Sequence, residues 1–312
     1  MKRLILHAGT AKTGTTAIQS ALFNRREELR ERGIFYPDPR HLGKAHNAHH
    51  NLAHAYGNRP AFRKKAETFL ALVREEAKEH ETVVLSSEAA YRQLSGQSGG
   101  YWSRRAAYLK SLAVALSGFE VEVLLFFRRR DRFIESLYHE NVLVGLPTGP
   151  FETFVQSHLN LLDYDRQVHA FQTEFPRVRI TSYEAANGNV VKAFFALHGI
   201  DISSAAEPRE RLSIDGRVTM WAAYEAERSG YRQEVLLSLR GFMKSGAANG
   251  LFADERKVTI WRSAKQRAEL LARFNDYDPI TDDRAPVVLT KEVQELIGNA
   301  YQTWRTKELN DS

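Results

Sequence analysis

Gly9-Thr10-Ala11-Lys12-Thr13-Gly14-Thr15-Thr16 is the segment whose residue types and spacing point most directly to chemistry. Two glycines let main-chain N–H groups turn toward one point, and a helix opening behind them adds a partial positive charge. Such a loop binds phosphate. Against the nucleoside-triphosphate pattern G-x-x-x-x-G-K-[ST], Gly9 and Gly14 keep the spacing, but Thr15 takes the lysine position and the lysine moves inside the loop as Lys12. A triphosphate loop uses its lysine on the terminal phosphates and a hydroxyl on magnesium. The displaced lysine fits a single phosphate-linked group bound without a metal.

A second anion site is expected where Val121–Phe127 runs into Arg128-Arg129-Arg130-Asp131. Arg128 offers a forked charged donor at a strand end, and Ser136, eight residues on, offers a hydroxyl from the next helix. A base for proton transfer has two candidates. Glu88 ends the run Val83-Val84-Leu85-Ser86-Ser87, and His46 and His50 lie in the histidine-rich stretch His41, His46, His49, His50, His54. His46, Asn47 and His50 are expected to line one helix face. Their spacing also suits a metal, but no carboxylate is interleaved, so no metal is expected.

Four short apolar runs must position these residues: Leu4–His7, Thr82–Ser86, Val121–Phe127 and Val178–Ser182. Each reads as a strand buried on both faces of a parallel sheet. Helical patterns fill the gaps over Thr16–Arg32, Ala61–His80, Trp102–Ser117 and Asp131–Val144, the first, third and fourth stopped by Gly33, Gly118 and Gly145. The alternation predicts an α/β phosphate-loop fold of three layers with a central parallel sheet, its ligand site at the carboxyl ends of the strands. From about Val190 the pattern is helical, including Glu255–Arg273 and Lys291–Arg305. We expect one domain over 1–312, with a nucleotide-binding core over about 1–200 and a helical part over about 201–312. Ser95–Trp102 reads as a mobile loop that could close as a lid over an acceptor.

The 312 residues are 43% hydrophobic and 26% charged, the balance of a chain able to bury a full core. A net charge of +6 favours an anionic partner. The absence of cysteine excludes disulfides, thiolate metal sites and cysteine nucleophiles. The opening apolar run is too short for a signal-peptide core and no later run approaches about 18 apolar residues, so a cytoplasmic protein without a transmembrane segment is expected.

The run His-Ala-Gly-Thr-Ala-Lys-Thr-Gly-Thr-Thr-Ala-Ile-Gln resembles the 5'-phosphosulfate loop of the sulfotransferase superfamily, in the form common among bacterial and Golgi-type carbohydrate sulfotransferases. The resemblance implies a donor, 3'-phosphoadenosine 5'-phosphosulfate, whose product is 3',5'-adenosine diphosphate. Lys12 would reach the bridging oxygen of the leaving group, and Thr13, Gly14, Thr15 and Thr16 would bind the 5'-phosphate. Arg128 and Ser136 match the family's 3'-phosphate pair. Tyr183-Glu184-Ala185 is similar to a Tyr-Glu-Asp segment whose tyrosine lies near the adenine, with Ala185 replacing the acid. The family uses either a glutamate or a histidine as base, so Glu88 and His46 or His50 stay open. The acceptor implied is a hydroxyl or amine, on a glycan or glycolipid, and no nucleic acid is expected. A phosphate-loop kinase and a non-catalytic anion-binding module are the alternatives.

Overall fold

The computed structural model describes residues 1–43, 47–96, 98–186, 189–200, 214–230, 233–248, 251–252, 258–275 and 284–311. The chain divides into two compact units, Met1–Arg129 with Asp163–Arg209 and Arg130–Leu162 with Glu210–Ser312.

The first unit opens with β1 (Lys2–His7), α1 (Thr15–Asn24), α2 (Arg26–Glu31) and β2 (Ile34–Phe35). It continues through α3 (His50–Tyr56), α4 (Arg63–Glu76), β3 (Thr82–Ser86), α5 (Ala89–Arg92), α6 (Tyr101–Ala115) and β4 (Phe119–Phe127). The helices α7 (Arg130–Leu143), α8 (Phe151–Ser157) and α9 (Leu159–Leu162) belong to the second unit. The chain then returns to the first with α10 (Tyr164–Glu174), β5 (Arg177–Ser182) and α11 (Val190–Ala196). The remainder of the second unit holds α12 (Gly216–Arg228), α13 (Gln233–Lys244), β6 (Val258–Thr259), α14 (Ala264–Arg273), β7 (Ala285–Pro286) and α15 (Lys291–Asn310).

The four expected strands and a short fifth, β2, form one parallel sheet, ordered β2-β3-β1-β4-β5. Chain direction and register set the carboxyl ends side by side: His7 pairs with Ser86, and Phe127 with Ser182. Because β1 lies centrally and the chain winds away from it on both sides, the loop after β1 stands at the topological switch point. Ile5, Val84, Leu124 and Phe126 face a core shared with Ile18 and Leu22 of α1, Leu29 of α2 and Phe194 and Phe195 of α11. On the other face Phe127 stacks on Tyr164 of α10 at 4.2 Å and meets Tyr91 of α5 edge-on. The sheet is therefore a middle layer between helices. Burial of each large apolar side chain contributes about 2 kcal/mol.

Three expectations change. Val178–Ser182 is not buried on both faces: β5 is the sheet's outer strand, and Ile180 is 50% exposed. Its arginines lie along Glu120 and Glu122 of β4, with Arg177 at 2.6 Å from Glu120 and Arg179 at 2.9 Å from Glu122. Thr16–Arg32 is two helices, separated at Arg25, whose φ of −110° leaves the helical range. Within Glu255–Arg273, Val258–Thr259 pairs with Ala285–Pro286 and the helix starts only after Ser263, whose hydroxyl accepts the N–H of Lys265. Gly33, Gly118 and Gly145 do stop their helices, at φ of 73°, 93° and 72°.

In the second unit, Trp221 of α12, Phe242 of α13 and Tyr301 of α15 pack ring against ring. Glu135 of α7 is the polar centre. It accepts from the Thr259 hydroxyl at 2.8 Å, the Ile260 N–H at 3.1 Å and the Arg284 guanidinium at 2.9 Å. Asp131 is fully buried against Arg267, and Arg130 donates to the Leu162 carbonyl at 2.6 Å.

Candidate active site

The loop between β1 and α1 is shaped by bonds to its own backbone and to β4. The Thr10 N–H and hydroxyl both donate to the Phe126 carbonyl, at 3.2 and 2.9 Å, and the Thr13 hydroxyl donates to the Thr10 carbonyl at 2.6 Å. Thr13 thus spends its side chain inside the loop, leaving its main chain to face a ligand. Lys12 and Gly14 both take left-handed backbone angles, with φ of 67° and 73°. Gly14 caps α1, and a side chain there would collide with Val190 as well as strain the backbone. No side chain caps α1 and no acid stands in its first turn, so its N-terminal dipole is not screened locally. Thr15 is buried and Thr16 is exposed.

Arg128, immediately past β4, reaches over this loop. Its Nη1 donates to the Lys12 carbonyl at 3.2 Å, and its guanidinium lies 5.1 Å from the centre of the Tyr183 ring. Tyr183 is held in turn by its N–H, which donates to the Phe127 carbonyl at 2.7 Å. Three residues singled out in the sequence, Lys12, Arg128 and Tyr183, therefore meet. The Tyr164 hydroxyl donates to the Arg128 carbonyl at 2.8 Å, and the Arg129 N–H donates to Glu184 at 3.0 Å. Ser136 is half-buried on α7, in the second unit, away from the buried Phe133, Ile134, Leu137 and Tyr138.

Glu88 follows β3 at the same sheet edge, between Ser87 and α5. Gln19 of α1 donates to its Oε2 at 2.6 Å, and His50 Nε2 stands 3.6 Å from the same oxygen. Burial pushes the Glu88 carboxyl up, but His50, the Gln19 amide and its own main-chain N–H outweigh burial and hold it below the ordinary value. The carboxylate is ionised at neutral pH. His50 also bonds the Ser87 hydroxyl through Nδ1 at 3.2 Å. The two alternative bases of the sequence are thus one pair. His46 lies outside the described residues. Asn47 precedes α3 and does not share a helix face with His50; its carbonyl accepts the Tyr36 hydroxyl at 2.6 Å.

Two other histidines are structural. His49 is fully buried and accepts the Ser86 N–H on Nδ1 at 3.1 Å, which leaves Nε2 to donate to the Pro37 carbonyl at 3.0 Å. His7, also fully buried, bonds the Ser86 hydroxyl through Nδ1 at 2.8 Å beneath Gly9. Burial pushes each down to about 4, Glu88 opposing the shift at His7 and the Pro37 bond opposing it at His49. Both stay neutral at working pH. Among the described residues no group of three or more acids and histidines is placed to hold a metal ion.

The segment Ser95–Trp102 is shorter as a loop than its composition suggests. Tyr101 and Trp102 open α6, fixed by Gln167, which donates to the Tyr101 hydroxyl at 2.8 Å, and by Arg166, 4.4 Å from the Trp102 ring. Gln19 was not singled out by sequence, yet its signal is there. A polar residue sits beside Ile18 and Leu22 on a buried stripe, where an amide needs a partner.

No protein-family model and no curated protein matches the chain. Among solved structures, it is similar to the crystal structure of a sulfotransferase from Alicyclobacillus acidocaldarius, at 16% identity and a TM-score of 0.41, over 76% of this chain and 96% of that one. Among the described residues no helix is long and apolar enough to cross a membrane.

Proposed function

We propose that the chain is a cytoplasmic sulfotransferase that moves a sulfuryl group from 3'-phosphoadenosine 5'-phosphosulfate to a hydroxyl or amine of a glycan or glycolipid. The observation that carries this reading is Arg128, which bonds the Lys12 carbonyl and covers the Tyr183 ring at the carboxyl edge of the sheet. A triphosphate loop has its lysine beside the magnesium-binding hydroxyl; here it is three residues earlier, in a left-handed turn.

In this reading the loop N–H groups and the α1 dipole hold the 5'-phosphate, Lys12 meets the bridging oxygen, and Arg128 holds the 3'-phosphate. Tyr183 lies near the adenine. The acceptor oxygen or nitrogen forms its bond to sulfur as the bond from sulfur to the bridging oxygen breaks. Glu88, with His50 beside it, takes the acceptor proton, and 3',5'-adenosine diphosphate leaves.

A thermal-shift comparison tests it. We expect 3',5'-adenosine diphosphate to raise the melting temperature without magnesium and more than ATP does with it. A preference for ATP with magnesium would make the protein a kinase; stabilisation by neither would leave an anion-binding module. Screening acceptors with labelled donor then identifies the substrate.

A further inference from the structure

Gln19 is a buried amide at 4% exposure on the helix that leaves the phosphate loop. Thr15 and Thr16 form the first turn of α1; Gln19 follows one turn later, on the buried side with Thr15. One short, rigid helix thus carries phosphate-facing groups at its start and, one turn on, the donor that touches the base. Helix geometry fixes that offset at about 6 Å along the axis, four residues at 1.5 Å each.

We infer that Gln19 is a positioning residue that locks the Glu88 carboxylate in register with the phosphate loop. The inference rests on the sulfotransferase reading for its catalytic meaning, and on the 2.6 Å bond for its geometry. No other side chain of α1 has a described bond to Glu88, and the partner lies 69 residues away in sequence, so the bond ties α1 to the β3 end. Ser87, just before Glu88, is anchored independently: its N–H donates to the His7 carbonyl at 2.9 Å. The backbone at the β3 end is therefore placed by the sheet, while the carboxylate is held by the Gln19 amide together with His50 and its own main-chain N–H, Gln19 being the partner that comes from the phosphate-loop helix. An amide donor also favours the ionised form, in keeping with the lowered Glu88 value.

Gln19→Met, close in size but unable to donate, and Gln19→Asn, one methylene short, test this in the full chain. We expect the Glu88 midpoint, followed by carboxylate-carbon NMR, to rise by about one pH unit in both, the size of one charge-assisted hydrogen bond. With an acceptor from the labelled-donor screen, kcat should fall about tenfold with donor KM unchanged, and its acid limb should move to higher pH. Stabilisation by 3',5'-adenosine diphosphate should equal that of the unaltered chain. An unmoved Glu88 midpoint in both variants would overturn the inference, as would donor KM rising in step with the loss of kcat. A raised midpoint in a protein that transfers sulfate to nothing would sustain the Gln19 link and sink the sulfotransferase reading.

Discussion

Glu88 in the first unit and Glu135 in the second are the same residue in opposite situations. Glu135 keeps 7% of its side chain exposed and accepts from a hydroxyl, a main-chain N–H and a guanidinium drawn from three positions of its unit. Glu88 keeps 18% exposed and accepts the Gln19 amide and its own main-chain N–H, with a histidine at 3.6 Å and no guanidinium bonded to it among the described contacts. Burial pushes the Glu135 carboxyl up while Glu88 is held below its ordinary value, so the difference lies in access: the one surrounded by committed donors is a cross-link, and the one left partly open keeps lone pairs that an acceptor can reach. The contrast teaches that burial alone does not mark a reactive acid. What counts is how much of its accepting capacity the fold has already used.

The comparison breaks most visibly at the loop that serves Glu88. On the proposed reading, we expect Lys12→Ala to lower sulfuryl transfer by about a thousandfold or more with little change in melting temperature, since it would remove the cation that stabilises the leaving group rather than any packing. Near wild-type turnover would detach the first unit from the chemistry. A paired test sharpens the contrast between the two acids. Glu88→Gln should cost about a hundredfold in kcat with stability nearly intact, whereas Glu135→Ala should cost about 3 kcal/mol in urea unfolding with 3',5'-adenosine diphosphate binding retained. If both variants lose stability equally, Glu88 is also a cross-link.

The smallest effect is an acid response of the first unit. His7 and His49 titrate near 4 when folded against an ordinary 6.5. Between those values the unfolded chain binds the more protons, so stability falls as pH drops below about 6.5 and the loss levels off near 4. Each group contributes about 1 kcal/mol of that loss per pH unit. Hydrogen exchange at pH 7.5 and 5.5 should show protection lost in β1 and β3; equal protection at both would contradict it.

The parts that were legible in the sequence are those whose chemistry is local. The loop Gly9–Thr16 announces itself because glycine, lysine and threonine at that spacing have few other uses, and β3 ends at Ser86 as its apolar run does. The approach of Arg128 to Lys12 was accessible through topology, since parallel strands bring their following residues to one edge. Other features were hidden for identifiable reasons. Two-residue β2 is too short to show a period, and β5 carries arginines that suit an outer strand. The Gln19–Glu88 bond spans 69 residues, and the helices α7–α9 interrupt the first unit between β4 and α10 yet group with the C-terminal helices in the second unit.

The three bonds that tie the phosphate loop inward, from Thr10 and Thr13, have a thermodynamic consequence. Fixing one residue's backbone costs about 1–2 kcal/mol in conformational entropy. A loop already fixed by folding has met that cost before any ligand arrives, so less of the gross attraction between loop and donor is spent on ordering. On the proposed reading, the same hydroxyls that turn inward would strengthen donor binding by fixing the loop in advance.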